Sequence, residues 1–289
     1  MIELLQLNPN LYIIVAGTLG LLIGSFLNVV IHRLPLMMER EWRGECESLL
    51  NSDSTSGELE PFNLMTPRSR CPSCNHEITA LENIPVISYV VLGGKCKGCK
   101  ASISIRYPVI EVTSAIAAIA VSIHFGFSAA GISALALSWG LISLAAIDID
   151  TQLLPDAITL PLLWAGIIVN YFDVFVSLEE SVLGAIFGYL SLWTVFWGFK
   201  LVTGKDGMGY GDFKLLAVLG AWLGWQVLPV VIIVSSVVGA CVGISMMLFA
   251  AHDKSKPIPF GPYLAIAGWI ALVWGDEITQ RYLDGTGAL

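Results

Sequence analysis

The chain has 289 residues, of which 55% are hydrophobic and 13% charged, and its mean hydropathy is +0.75. This composition excludes an ordinary water-soluble enzyme, and a disordered chain would carry far less apolar and aromatic surface. The formal net charge of −8 argues against a nucleic-acid-binding surface, which needs clustered lysines and arginines. The sequence therefore indicates a polytopic membrane protein with one polar insert.

The first apolar run, Leu11 to Ile31, has 21 residues without a charge, enough to cross a bilayer as a helix. The ten residues before it carry no lysine or arginine, whereas a secretory signal peptide begins with a basic stretch. We therefore expect residues 1–32 to form a first transmembrane helix and not a cleaved signal.

A polar insert follows, from residue 33 to residue 106. Its first part, Glu39 to Glu60, is acidic and ends in the low-complexity run NSDSTSGE. Such a composition is typical of a flexible, solvated loop. We expect this part to act as a spacer.

The second part of the insert contains two CxxC pairs that are separated by 21 residues and followed by similar tails. Two such turns supply the four thiolates of a tetrahedral zinc ion. The first alternative is two disulfides, but disulfides are rare in a reducing compartment such as the cytoplasm, where the basic residues place the insert. A redox role is a weaker alternative, because the sequence has no thioredoxin-like pattern around one CxxC. Cys46 and Cys241 have no partner at ligand spacing and are interpreted as an inert loop thiol and a small residue that packs between helices. The predicted zinc ligands are Cys71, Cys74, Cys96 and Cys99.

The rest of the chain, residues 107–289, is expected to form a transmembrane core. Its uncharged stretches are interrupted by turn-like sequence at HFGFSAAG and between Gly224 and Pro229. With the first helix, these stretches predict about eight transmembrane helices. Two stretches lie between Glu111 and Asp148, and two lie within Leu215–Ala251. The other three are Ala157–Phe172, Ser181–Phe199 and Pro259–Gly275.

The basic residues give the orientation, since lysine and arginine favour the cytoplasmic side of a membrane protein. Nine of the fifteen lie in the insert. If eight helices cross the membrane in alternating directions, every lysine and arginine except Arg281 falls on one side. The short loops that place basic residues on the same side as the insert contain Lys200, Lys205, Lys214, Lys254 and Lys256. The insert is therefore expected to face the cytoplasm.

Two acidic sites lie where predicted membrane helices begin or end. Asp148 closes one apolar run, in the segment Asp148-Ile-Asp150-Thr-Gln-Leu-Leu-Pro-Asp156, and Asp212 opens another. Ionisable groups at membrane depth are expensive and suggest function. Asp148 and Asp150 would point to nearly opposite faces of a helix, so at most one of them faces Asp212. Asp156 is expected to cap the following helix.

Two carboxylates held close together share a proton, so that one activates water as a base and the other acts as an acid. This chemistry is that of an aspartic protease, and we predict Asp148 and Asp212 as the catalytic pair. Gly209 and Gly211 would let the backbone approach a substrate strand closely. The alternative from composition alone is a set of interfacial aspartates that cap helices.

These residues resemble the type IV prepilin peptidase family, membrane aspartic proteases with a Gly-x-Gly-Asp motif. The resemblance covers nearly the whole chain in order. The matching segments are GSFLNVVIHRLP from Gly24 to Pro35, the two CxxC pairs, RYPVIE from Arg106 to Glu111, DID at 148–150 with Leu-Pro-Asp156, GYGD at 209–212, and PFGPYLA from Pro259.

The resemblance implies an all-α, multi-pass protein of the bacterial inner membrane, with its active site and a zinc-ribbon-like insert, associated with methyl transfer, on the cytoplasmic side. It implies a bifunctional enzyme that cuts the short basic leader from type IV prepilins or pseudopilins after a glycine. The enzyme would then methylate the new N-terminal residue, usually phenylalanine, with S-adenosylmethionine. The family's catalytic pair falls on Asp148 and Asp212, and its zinc ligands on the four insert cysteines.

Backbone groups of Pro259, Gly261 and Pro262, with those of Gly209 and Gly211, are expected to contact an extended substrate. For the methyl donor, no glycine-rich nucleotide-binding turn is present, so no cofactor residue is assigned. The polar residues beside the helices either line a cofactor or leader pocket or reach to the membrane interface. They are Asn28, His32, Arg106 and Glu111.

Competing functions make different predictions. A proton-coupled transporter also places aspartates at membrane depth, but it gives no reason for four paired cysteines. A presenilin-type protease usually carries a Tyr-Asp motif, whereas Ile147 precedes Asp148 here. A peptidase without methyltransferase activity and a non-enzymatic assembly scaffold complete the alternatives.

Overall fold

The computed structural model describes residues 2–50, 62–249 and 259–286. Within these ranges the regular structure is helical, with two isolated antiparallel bridges, Arg70 with Glu77 and Lys95 with Ser102. A short 3-10 helix covers Leu81–Asn83. The α-helices are α1 (Ile2–Leu7), α2 (Pro9–Leu50), α3 (Ile87–Val91), α4 (Arg106–Phe125), α5 (Ala129–Thr151), α6 (Asp156–Tyr171), α7 (Leu178–Thr203), α8 (Tyr210–Leu223), α9 (Leu228–Phe249) and α10 (Gly261–Thr286).

The helices form two compact units, Met1–Gly126 and Phe127–Leu289. Every apolar run that was predicted to span the membrane contains a helix in the described part of the chain. Five helices are long and apolar enough to cross a bilayer, whereas α6 and the apolar part of α10, Gly261–Gly275, are shorter. The five are Pro9–Leu50, Arg106–Phe125, Ala129–Thr151, Leu178–Thr203 and Leu228–Met246.

Helix α2 differs from the expectation for the insert, because it continues past Ile31 to Leu50. The acidic stretch from Glu39 to Leu50 is therefore helical and not a loop. Its glutamates, arginines and leucines are good helix formers, and Glu39 pairs with Arg43 one turn later. The run NSDSTSGE lies outside the described residues, as do Lys254 and Lys256.

In the first unit, α2 packs against α4 through small residues. A Cβ added to Gly20 would lie 2.8 Å from Cα of Ala115, and one added to Gly24 would lie 2.7 Å from Cα of Glu111. The Ser114 hydroxyl donates to the Gly20 carbonyl over 2.6 Å. Small residues at helix contacts are typical of membrane bundles, and here they bring the two backbones together near the insert.

In the second unit, α8 is the central helix, and almost all of its residues are buried. It packs against α6, α7 and α10. Gly184 of α7 faces Gly220 of α8 so closely that a Cβ on either residue would overlap the other's carbonyl. The closest helix contact in this unit therefore depends on the absence of side chains.

The last carbonyl groups of α8, at its C-terminal end, accept hydrogen bonds from polar side chains of neighbouring helices. The Asn170 amide donates to the carbonyls of Ala221 and Trp222 over 2.9 and 3.0 Å, and the Ser181 hydroxyl donates to Ala221 over 2.6 Å. The last carbonyls of a helix have no partner within it, so these bonds satisfy groups that would otherwise be buried unpaired. They fix α8 along its axis and thereby fix the position of Asp212 at its other end.

Candidate active site and metal centre

Asp148 lies in the last turn of α5, and Asp212 lies in the first turn of α8. Both carboxylates are buried, with exposed fractions of 5% and 6%. Leu154 lies beside both of them, because a Cβ on Gly211, next to Asp212, would be 2.8 Å from Leu154 and a Cβ on Gly261, which bonds Asp148, would be 3.2 Å from it. The fold thus brings together two acids that are far apart in the sequence and shields both from solvent.

The chain reverses direction directly after Asp148. Gln152 adopts a left-handed conformation with φ of 56°, and its N–H donates to the Asp148 carbonyl over 2.9 Å. This turn ends α5 and leads into Leu154 and Pro155. Asp150, two residues after Asp148, is exposed, so only the first of the two neighbouring aspartates lies in the buried pair.

Three glycines surround the two acids. The N–H of Gly261, the first residue of α10, donates to Oδ2 of Asp148 over 2.9 Å. A Cβ on Gly261 would lie 2.7 Å from that oxygen, and one on Gly211 would lie 2.8 Å from Cβ of Leu154. Gly209 caps α8 from the other side, and its carbonyl accepts the N–H of Asp212 over 3.3 Å.

The substrate-binding segment predicted around Pro259 is only partly open. Pro259 is half-buried and Pro262 is buried. The N–H of Gly261 already donates to Asp148, so it supports the carboxylate and is not free to bond a substrate strand. Any substrate contact of this segment must come from its other backbone groups.

Asp156 does not cap the helix that follows it, contrary to the prediction. Helix α6 begins at Asp156 itself, after Pro155, and no side chain caps it. The carboxylate instead accepts two hydrogen bonds from Nζ of Lys214, at 2.6 and 2.8 Å. This ion pair joins α6 to α8 two residues after Asp212. No local sequence pattern indicates this ion pair, because its partners are distant in the chain.

The four predicted metal ligands come together in the first unit. The Sγ atoms of Cys71 and Cys99 are 3.8 Å apart, those of Cys74 and Cys96 are 3.9 Å apart, and all four lie within 4.8 Å of one another. A tetrahedral zinc ion with Zn–S distances near 2.3 Å would need edges of about 3.8 Å. None of these cysteines forms a disulfide, and the donor set fits a zinc ion.

The two CxxC loops have the same internal hydrogen bonds. Cys71 donates its N–H to the His76 carbonyl over 2.9 Å, and Cys96 donates to Ala101 over 2.8 Å. The residue after each second cysteine, Asn75 or Lys100, has positive φ. In each loop, backbone N–H groups that follow the first cysteine lower the pKa of its thiol, to about 6 for Cys71. Each loop is thus prepared to present a thiolate.

Glu82 supports the first loop from outside. It accepts the N–H of Thr79 over 3.0 Å and lies 3.2 Å from Nε2 of His76, and the Lys97 ammonium is 3.5 Å away. The Thr79 and His76 contacts hold the pKa of Glu82 at about 2. The sequence analysis missed this residue, although an acid just beyond a CxxC pair and a histidine is a recognisable signal for outer support of a metal site.

The unpaired cysteines differ slightly from expectation. Cys46 lies on the extension of α2 and not in a loop, and Cys241 on α9 is exposed and does not pack between helices. Neither joins the four-cysteine cluster.

Two of the four polar residues suggested for a cofactor or leader pocket are engaged within the protein. Asn28 donates to the Tyr107 carbonyl over 3.1 Å, and Glu111 accepts the N–H of Val86 over 2.7 Å. His32 is exposed, and the N–H of Arg106 donates to the Ser104 hydroxyl. These contacts explain the positions of Asn28 and Glu111 and assign no residue to a methyl donor.

Two protein-family models match the chain. The model of the bacterial peptidase A24 N-terminal domain covers residues 18–125, and that of the type IV leader peptidase family covers residues 135–244. No solved structure matches.

Full-length relatives are also found. The prepilin leader peptidase/N-methyltransferases of Aeromonas hydrophila and Stutzerimonas stutzeri are each 56% identical over 283 residues, with 98% of both chains covered. The protein of the same name from Pseudomonas aeruginosa is 54% identical over 287 residues, with 99% of both chains covered.

Proposed function

Because this chain belongs to the type IV leader peptidase family, we propose that it cleaves the leader of type IV prepilins or pseudopilins and then methylates the new N terminus. The names of the relatives support both activities. The observation that carries the peptidase half is the buried pair of Asp148 and Asp212 in the second unit.

We assign the chemistry of hydrolysis to this pair. One carboxylate takes a proton from water, which attacks the carbonyl of the scissile peptide, and the other donates a proton to the leaving amine. The Gly261 N–H stabilises negative charge on Asp148. Gly209 and Gly211 remain the proposed contacts to an extended substrate, together with backbone groups of Pro259 and Pro262.

For the membrane arrangement we propose eight crossings, with the insert and both acids on the cytoplasmic side of a bacterial inner membrane. Nearly all lysines and arginines would then lie on the side of the insert, with Arg281 as the exception, and this asymmetry supports the orientation. A prepilin has its basic leader on the cytoplasmic side, so its scissile bond would meet Asp148 and Asp212 there.

For the insert, residues 33–106, we propose a structural zinc ion held by the four clustered cysteines and a role in methyl transfer. S-adenosylmethionine would supply the methyl group when bound. No residue is assigned to its binding. We propose that the insert is preceded by a first transmembrane helix, residues 1–32, and followed by a transmembrane core, residues 107–289.

The test is a cleavage assay with purified protein and a prepilin in detergent. Asp148→Asn and Asp212→Asn should each abolish cleavage, because one acid without its partner cannot both activate water and protonate the amine. Asp150→Asn is the matched control, since Asp150 is exposed and lies only two residues from Asp148. It should cleave like the wild type.

Two outcomes would defeat the proposal: cleavage that survives either substitution in the pair, or wild-type protein that leaves the leader intact under conditions where a related peptidase removes it. Mass spectrometry of the product, with and without S-adenosylmethionine, tests methylation separately. A mass increase of one methyl group only with the donor is the expected result.

A further inference from the structure

The stretch between the two CxxC pairs is more apolar than the rest of the insert. Residues 83–94, NIPVISYVVLGG, contain no charged side chain over twelve positions. Apolar runs of 10–14 residues are typical of buried core helices, of re-entrant or interfacial membrane segments, or of signal peptides. Its position in the middle of the chain excludes the last.

The side chains of this stretch are not buried in a core. Ile87, Val90 and Val91 on α3 have exposed fractions of 60%, 70% and 78%. They are spaced by three and four residues, so they share one face of the helix. Leu81 and Ile84 just before them are also exposed. A contiguous apolar face of this kind marks a contact with lipid or with another protein.

One hydrogen bond fixes the depth of this stretch relative to the membrane helices. The N–H of Val86 donates to Oε2 of Glu111 over 2.7 Å. Glu111 lies inside α4, five residues after Arg106, or about 7.5 Å along the helix axis. It is level with Gly24 of α2, which lies seven residues, or about 10 Å, before the end of its apolar run.

Side chains of a helix lean toward its N-terminal end, so the Glu111 carboxylate points back toward Arg106. Val86 is therefore held near the boundary between headgroups and hydrocarbon, not out in the cytoplasm. Val109, Val112 and Ile116 carry exposed apolar side chains along the same span. Lipid contact of the stretch would continue the lipid-facing surface of α4.

The backbone of the stretch is also suited to lipid, where unpaired N–H groups are costly. Ser88, Val90, Leu92, Gly93 and Gly94 donate to carbonyls within the stretch. Val86 has φ of 59°, which is unusual for a β-branched residue, and its N–H is paired by the Glu111 carboxylate. Glu111 thus satisfies the Val86 N–H, which the tight turn directs away from the stretch.

We infer that residues 83–94 form an interfacial segment that inserts into the cytoplasmic boundary of the bilayer, with Glu111 as its anchor. The segment lies between Cys74 and Cys96, so its insertion ties both metal-binding loops to the membrane surface. The insert would then work at the surface of the bilayer and not as a free cytoplasmic domain.

The test is site-directed spin labelling of the full chain in lipid nanodiscs. Cysteine is introduced at Ile87, Val90 or Val91 in a Cys46→Ser, Cys241→Ala background, and the parent without a new cysteine sets the labelling background. Power saturation then compares collisions with oxygen, which concentrates in lipid, and with a water-soluble nickel chelate. The oxygen-to-nickel ratio at these sites should be several-fold higher than at Arg68→Cys, an exposed position of the same insert.

Ile116→Cys on α4 provides the lipid-exposed reference, and Ser88→Cys, on the half-buried side of α3, should give a lower ratio than Val91→Cys. A ratio at Val90 and Val91 equal to that at Arg68 would overturn the inference, because the face would then be in water. Exclusion of both reagents would also overturn it, because the face would then be covered by protein, such as a second copy of this chain.

Discussion

The N–H of Gly261 donates a 2.9 Å hydrogen bond to Oδ2 of Asp148, which joins the first residue of α10 to the last turn of α5. The N-terminal end of a helix favours a negative charge at this position. The bond therefore orients one acid of the pair while its second oxygen stays available for chemistry. Several substitutions test how closely this arrangement controls activity.

Gly261→Ala should reduce prepilin cleavage by about 100-fold, because a displacement near 1 Å at reacting groups costs about that much. The new Cβ would lie 2.7 Å from Oδ2 of Asp148 and 3.2 Å from Cδ1 of Leu154, so one of them must move. The measurement is kcat/KM with a purified prepilin. Gly275→Ala on the same helix meets nothing within 4 Å and should retain full activity; equal rates for the two variants would refute the argument.

The ion pair between Asp156 and Lys214 should matter more for activity than for stability. Both side chains are partly exposed, and such pairs contribute about 0–1 kcal/mol. Asp156→Ala and Lys214→Ala should each lower cleavage several-fold by loosening α8 beside Asp212, with little change in Tm. The exchanged double variant, Asp156→Lys with Lys214→Asp, should recover part of the rate. If the double variant recovers none of the cleavage rate, the ion pair does not hold α8 in position.

Each of the four clustered cysteines should be needed for metal binding. Replacement of any one by serine removes a thiolate from a shell that requires four, so the zinc content of purified protein should fall from about one ion per chain to far below one. Elemental analysis by mass spectrometry makes the comparison. Cys46→Ser serves as the control, because this thiol is not part of the cluster. A zinc content that none of the substitutions changes would mean that the metal binds elsewhere.

Glycine at the contact between α7 and α8 should be essential for stability. Gly184→Ala places a methyl group against the Gly220 carbonyl, and overpacking of this kind costs about 1–3 kcal/mol. We expect a clear drop in Tm for protein in detergent. Gly198→Ala on the same helix meets nothing within 4 Å and should melt like the wild type, which separates the close contact from a general intolerance of α7.

Sequence reasoning predicted the helical class and the cysteine cluster well, because hydropathy and CxxC spacing are local signals. Helical periodicity also anticipated that Asp148 and Asp150 would face different ways. It missed the extension of α2 to Leu50, because a charged helix has no apolar run to reveal it. The pairing of Asp156 with Lys214 depends on how α6 meets α8, which no local pattern encodes.

The lengths of the membrane helices depend on more than hydropathy. Apolar composition locates helices, but caps and turns decide where they end. Gly224, with φ of 82°, stops α8 after 14 residues, although the apolar sequence continues on both sides of the turn. The break near Gly224 was predicted from its turn-like sequence and is confirmed, whereas the lengths of α6 and α10 could not be derived from hydropathy.

The shortness of α8 has a physical consequence for how the protein meets its surroundings. Fourteen residues extend about 21 Å, against a hydrocarbon thickness of about 30 Å. If the far end of α8 reaches one face of the bilayer, the first residue of α8 falls about 9 Å short of the other face, and Asp212, two residues further in, falls about 12 Å short. Because α8 is buried among α6, α7 and α10 and does not face lipid, a wet crevice must reach down to Asp212, and the bond to be cut has to descend to the acids.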